Sequence, residues 1–131
     1  MRFHDLIGTI SDCIPCAAQG AADATSYIGI WRAPYKCRVT ALAWVPSTAS
    51  TGNTTNHRNF NVDLAAGTEQ ANVDLTTGVD LVAGTAKAIA ITTTAGYINL
   101  EEGDTLLLES EKVGSGVAVG LGSWQITYQG N

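Results

Sequence analysis

The chain reads as an all-β protein: an antiparallel β-sandwich or jelly roll of about eight strands with an N-terminal arm. Three observations predict this. Apolar and polar residues alternate with period two over several short runs, most clearly Cys37 to Val45 and Trp124 to Tyr128. Turn signals built on Gly, Asn, Asp and Pro separate these runs at intervals of roughly 8–12 residues, as a sandwich requires. The one stretch with loose helical spacing, Phe3, Leu6, Ile7, Ile10 and Ile14, is weakened by Gly8, β-branched residues and Pro15.

Taken in order, residues 1–24 read as an arm, extended or partly helical, that packs on a neighbour or on its own domain. Its Phe3, Leu6, Ile7 and Ile10 are the expected contacts with a neighbour or partner, because disordered tails seldom keep such residues exposed. Ala17 to Ala24 is small and contains glycine. Residues 25–131 form the sandwich. Ser26 to Arg32 is its first strand, with Ile28 and Ile30 sharing a face and Tyr27 and Trp31 displaced from them. Ala33-Pro34-Tyr35 ends it, since proline has no N–H for a ladder and biases the preceding residue to an extended shape.

Cys37 to Val45 is the clearest strand. Its odd positions, Cys37, Val39, Ala41, Ala43 and Val45, read as core. Its even face begins with Arg38 and Thr40 and ends with Leu42 and Trp44. Burying a Leu or Trp side chain contributes about 1.5–3 kcal/mol, so those two residues need a second cover: a loop, the arm or another subunit. Leu42 and Trp44 are therefore assigned to a subunit interface.

Pro46 to Asn59 is a polar loop. Phe60, Val62 and Leu64 alternate as a strand, Ala66-Gly67 turns, and Val73 and Leu75 begin the next run. Val79 to Ala83 is short and apolar. Lys87 to Thr92 alternates through Ala88-Ile89-Ala90-Ile91. Ile98 and Leu100 precede the turn Glu101-Glu102-Gly103-Asp104. Thr105 to Glu111 follows, then the turn Lys112 to Gly116. The last strand carries Trp124, Ile126 and Tyr128 on one face, with Gln125 and Thr127 on the other.

A chain of 131 residues fits one domain. Its formal net charge of −5 argues against nucleic acid as the main partner, because phosphate binding needs a basic stripe. The charge is uneven: residues 1–58 carry five Lys/Arg against three Asp/Glu, and residues 59–131 carry two against nine. Charged residues make up 15% of the chain, well below the usual share of about 25%. A surface so poor in charge is either covered by partners or built of Thr, Asn and Gly. No apolar run is long enough for a membrane span. Asp5 and Asp12 interrupt the first twenty residues, so no secretory leader is expected. Three cysteines do not suggest a disulfide framework.

Several motifs could carry chemistry. Cys13-Ile14-Pro15-Cys16 could be a redox pair, or half of a zinc site completed from Cys37, His4 and His57. A redox pair wants a βαβ setting, and this one precedes an all-β domain, so small hydrophobes packing an arm are the simpler reading. Gly114 to Gly120 is glycine-rich but lacks the following helix of a nucleotide loop. Five carboxylates, Glu101, Glu102, Asp104, Glu109 and Glu111, lie close in sequence and could bind Ca²⁺ or run glycoside hydrolysis. Glu109 and Glu111 share a strand face, which also suits a solvated surface. His4 and His57 have no Ser-Asp context for a triad. Asn53-Thr54-Thr55 matches a glycosylation sequon, which without a secretory signal is a polar loop. No catalytic residue, cofactor or metal ligand is assigned, and the chain is not expected to be an enzyme.

From Asp80 through Tyr128 the sequence resembles the C-terminal half of small jelly-roll decoration (cement) proteins from the heads of tailed double-stranded DNA phages. The resemblance rests on V-A-G-T at Val82 to Thr85, L-E-E-G-D-T-L at Leu100 to Leu106, V-G-S-G at Val113 to Gly116, and the closing W-Q-I-T-Y at Trp124 to Tyr128. It implies a structural virion protein on the outer surface of the capsid. Such a protein forms a trimer, binds the major capsid protein and stabilises the head, with an N-terminal arm reaching the capsid or the adjacent protomer. It implies no catalytic residues, and C-I-P-C is not part of the pattern. The competing expectation is a phage tail-fibre tip or carbohydrate-binding module that uses Trp31, Tyr35 and Tyr97 as a sugar platform.

Overall fold

Turn glycines and period-two patterning cut the described residues into ten strands. The computed structural model describes residues 8–65 and 67–131. The strands are β1 (Thr9–Cys16), β2 (Ser26–Arg32), β3 (Cys37–Pro46), β4 (His57–Leu64), β5 (Glu69–Asp74), β6 (Lys87–Ala88), β7 (Ala90–Ile91), β8 (Ile98–Leu100), β9 (Thr105–Val113) and β10 (Gly122–Gly130).

Two antiparallel sheets result. One runs β1-β10-β3, with both β6 and β8 on the far side of β3, and the other runs β2-β9-β4-β5-β7. The pairing is nested: β1 with β10, β2 with β9, β3 with β8, β4 with β5. First meets last, second meets second-last and third meets third-last, and successive strands alternate between the sheets except at the β4–β5 hairpin, which lies within the second. That is the wrapping of a jelly roll, so the expected fold class stands.

The inner faces close on one core. Ile98, Leu100, Trp124, Ile126 and Tyr128 come from the first sheet, and Trp31, Phe60, Val62, Leu106 and Leu108 from the second. Aromatic contacts bridge the layers: Trp44 stacks on Phe60 with centroids 4.8 Å apart, and Trp31 meets Tyr128 at 5.0 Å. Gly29 makes room for this, because a Cβ there would lie 2.9 Å from the Trp124 ring.

A β-bulge resolves the ambiguity of β3. Opposite β10, Thr127 pairs with Ala41 and Tyr128 with Val39, so Thr40 is the extra residue. The inserted residue reverses the parity of everything after it. Cys37 and Val39 point inward before it, and Leu42, Trp44 and Pro46 point inward after it. Leu42 and Trp44 are 3% and 0% exposed in the single chain. The assignment of these two residues to a subunit interface is therefore corrected: their cover is the protomer's own core.

The arm is corrected in the same way. From Thr9 onward it is a full edge strand, paired with β10 over Thr9–Gln129 to Cys16–Gly122. Ile10 packs on the core from the inward side of that strand, which removes it from the expected neighbour contacts. Phe3, Leu6 and Ile7 lie outside the described residues. Among the described residues of the arm, Thr9–Cys16 is thus part of the sandwich, and the boundary expected at residue 24 falls just before β2.

Three smaller differences have equally local causes. In β2 the register shifts between Tyr27 and Gly29, so Ile28 packs inward while Ile30 is 64% exposed. Lys87 to Thr92 is not one strand: β6 pairs with β3 and β7 with β5, and buried Ile89 turns the chain from one sheet to the other. Val79 to Ala83 contributes a single bridge, Leu81 to Ser50.

Candidate interaction surfaces

The interior holds two polar anchors that position the edges and loops. Arg58 alternates with the outward residues of β4 and so points into the sandwich, where it is fully buried. Its guanidinium donates to the carbonyls of Gly20, Asp23 and Val117 and to the Ser110 hydroxyl. Five donors in a planar fork suit this work. One side chain thereby ties the β1–β2 and β9–β10 loops to the second sheet. Burial lowers the Arg58 pKa, against the opposing pull of Asp23.

Asp12 occupies an inward position on β1, between Ile10 and Ile14. Its carboxylate accepts from Trp31 Nε1 at 2.8 Å and from the Tyr128 hydroxyl at 3.1 Å, joining the edge strands of the two sheets. Burial, then Asp12, raises the Tyr128 pKa. Neither anchor was foreseen. An Asp at core parity within an alternating run was the available signal for the second, and an Arg at core parity ahead of Phe60 and Val62 for the first.

The candidate chemistry does not assemble. Cys13 and Cys16 stand three residues apart on a strand, hence on opposite faces: Cys13 is exposed, and Cys16 and Cys37 are buried free thiols. Burial raises the Cys16 pKa and pushes that of Cys37 up to about 11, with Asp104 adding to the second. Among the described residues no group of His, Cys, Asp and Glu could hold a metal ion. His4 lies outside them, and His57 is buried on β4.

Gly114 and Gly116 take positive φ in the turn after β9, with no helix to follow. Asp104 accepts from the Glu101 N–H within its own turn, while Glu109 and Glu111 share an outer face as expected. The sugar platform does not form. Trp31 is core, Tyr35 packs on Tyr128, and Tyr97 lies beneath the Arg38 guanidinium at 4.1 Å. Among the described residues the hollows are shallow: one of about 230 Å³ lies at Arg32, Pro34 and Glu102, and another of about 260 Å³ at Thr40, Ala88 and Ile91.

What the fold does present is two broad outer faces of different character. On the first sheet Ser11, Cys13 and Pro15 of β1, Gln125, Thr127 and Gln129 of β10, and Ala43 and Val45 of β3 point outward. Ser11 Oγ and Thr127 Oγ1 pair at 2.9 Å. Arg38, beside Asn99 and Asn131 at one end, is the one charged residue pointing outward from these paired strands. On the second sheet the outward residues include Asp63, Glu69, Asp74, Glu109 and Glu111, against Arg32 at one corner. Five carboxylates and one cation give that face −4 of the chain's −5. Asn61 Nδ2 bridges Glu109 Oε1 at 3.1 Å and Glu111 Oε2 at 2.8 Å, and Asn59 reaches Glu111 at 3.2 Å. Tyr27 donates to Asp63 at 2.9 Å, and this bond raises its pKa.

No protein-family model matches the chain, and no curated protein matches its sequence. Among solved structures it is similar to a chain in the structure of the infectious bursal disease virus Gx strain, with a TM-score of 0.43 and 13% identity over 92% of this chain. The match spans 32% of that chain, so this protein corresponds to about a third of its length.

Proposed function

We propose that this chain is a structural virion protein: a capsid decoration protein that binds the major capsid protein on the outside of a tailed-phage head and stabilises it as a trimer. The observation that carries this reading is the nested pairing of the three outer strand pairs, a framework held by two sheets, interlayer aromatics and the Arg58 and Asp12 anchors. Such a block acts through its surface. Small-molecule sites are concave, about 300–1,000 Å³ in volume, and both hollows here fall below that range. The resemblance of Asp80 to Tyr128 to decoration proteins supports the same reading. Phe3, Leu6 and Ile7, ahead of edge strand β1, are the proposed capsid contacts.

The mechanism is passive. A trimer that touches several capsid subunits converts weak single contacts into strong attachment. Binding the assembled shell alone stabilises it by mass action. Co-sedimentation with expanded, empty phage heads tests this: the protein should pellet with heads at saturating stoichiometry and raise their disruption temperature. A protein left in the supernatant at every concentration would end the proposal.

A further inference from the structure

We infer that copies of this chain meet through the uncharged outer face of the β1-β10-β3 sheet. This goes beyond the reading above: two copies meeting through one shared face form an isologous pair that closes at two, so the contact is one of the free protein and separate from the trimer proposed on the capsid.

The argument begins with charge. Every copy carries −5, so self-association brings like charges together unless the contact excludes them. The β2-β9-β4-β5 face, with Asp63, Glu109 and Glu111, excludes itself. Like charges about 4 Å apart repel by about 1 kcal/mol per pair even in bulk water, and by more where water is displaced. The opposite face puts Ser11, Gln125, Thr127 and Ala43 at its centre, with no carboxylate among its outward residues.

Packed face to face there, two copies hold their acidic faces on the far sides. The separation is then roughly three sheet spacings, about 30 Å, several times the Debye length of about 8 Å at physiological salt. Part of the face costs little to desolvate, because Ala43 and Val45 are apolar and Ser11 is already paired with Thr127.

The β1 edge of the same sheet is poorly suited to the alternative mode, strand addition. Pro15 lies on edge strand β1 opposite Ser123. A proline in a paired edge strand turns its missing N–H toward solvent, which interrupts any incoming ladder. The face is thereby favoured over the β1 edge for contact. Three strands of eight to ten residues span roughly 500 Å² in plan. Side-chain relief adds to that, toward the ~800 Å² per partner of a standard interface.

Cys13 is a built-in reporter, being exposed on this face while Cys16 and Cys37 are buried. The experiment combines light scattering with alkylation of Cys13 over a dilution series of the whole chain. The expected result is a mass above one protomer at high concentration, with Cys13 alkylation slowed roughly tenfold or more and restored on dilution. Gln125→Glu and Thr127→Glu each place a carboxylate at the contact. Each should weaken association by about tenfold or more while the circular dichroism spectrum stays unchanged. Asn72→Asp, on the acidic side, should leave association within about twofold of the parent.

A monomer at every concentration overturns the inference. So does an oligomer whose Cys13 reacts at the monomer rate, and so does a monomer whose Cys13 is shielded only on phage heads, since the shell is then the occupant. A monomer that still pellets with heads defeats this inference and leaves the virion role standing. An oligomer that never pellets does the reverse.

Discussion

The two outer faces of this sandwich are made by the same alternation and carry opposite chemistry. On the first sheet, outward positions are Ser, Thr, Gln, Ala and Val. On the second they are mostly Asn, Asp and Glu, laced by Asn59 and Asn61 to Glu109 and Glu111, with Tyr27, Ile30 and Arg32 along β2. Inside, the sheets are alike, with large apolar and aromatic residues from both. Core packing constrains the inner faces equally, so the difference outside is not imposed by the fold. It sorts the surface into a side that water solvates strongly and a side from which it is easily displaced.

The largest effects are expected in the shared interior, where the contrast between faces should vanish. Arg58→Met removes the guanidinium but leaves the Gly20, Asp23 and Val117 carbonyls without it. Chemical denaturation should show a loss of about 3–5 kcal/mol, the scale of stranding buried polar partners of a charge. Arg58→Lys should recover only part, lacking the fork.

Asp12→Ala comes next, at about 2–4 kcal/mol, because the Trp31 N–H and Tyr128 O–H lose their acceptor. Here the faces should begin to differ. Asp12 fastens β1, so amide exchange should quicken in β1, the outer strand of the uncharged sheet, more than in β4 or β9.

Alkali separates the sheets further, since Cys37 and Tyr128 both belong to the first. The Cys37 thiol ordinarily ionises near 9 and is pushed up to about 11 by burial. Its folded value is raised, so its contribution is complete below pH 9 and is lost as pH climbs through 11. Two units correspond to about 2–3 kcal/mol. Unfolding followed from pH 8 upward should show that decline, and Cys37→Ala should remove it. The raised Tyr128 value extends the decline to higher pH.

The smallest effects sharpen the comparison most. Asn61→Leu strips donors from Glu109 and Glu111 and should cost about 1 kcal/mol, less at high salt as their repulsion is screened. Ser11→Ala, on the uncharged face, should cost less than about 0.5 kcal/mol and be indifferent to salt.

Much of the framework was legible in the sequence. Ser26 to Arg32, the start of Cys37, and the facing of Trp124, Ile126 and Tyr128 are as the alternation predicts. Two of the failures fall where one residue was inserted. The extra Thr40 makes Leu42 and Trp44 look unpartnered, because a parity argument cannot see a bulge that only the pairing with Thr127 and Tyr128 defines. Ile28 and Ile30 part company for the same reason. The loose helical spacing of Ile10 and Ile14 disguised a strand whose inward set is Ile10, Asp12, Ile14 and Cys16. The acidic ladder was half visible, as Glu109 and Glu111 on one face. The uncharged face was not, since it is assembled from β1, β3 and β10, which meet only through the nested wrapping.

The most direct measurement labels both faces at once, in the assembled protein: a thiol reagent for Cys13, and a carbodiimide with an amine for Asp74, Glu109 and Glu111. The account predicts that assembly shields Cys13 and leaves the carboxylates as reactive as in the dilute protein. Shielded carboxylates beside a freely reactive Cys13 would contradict it.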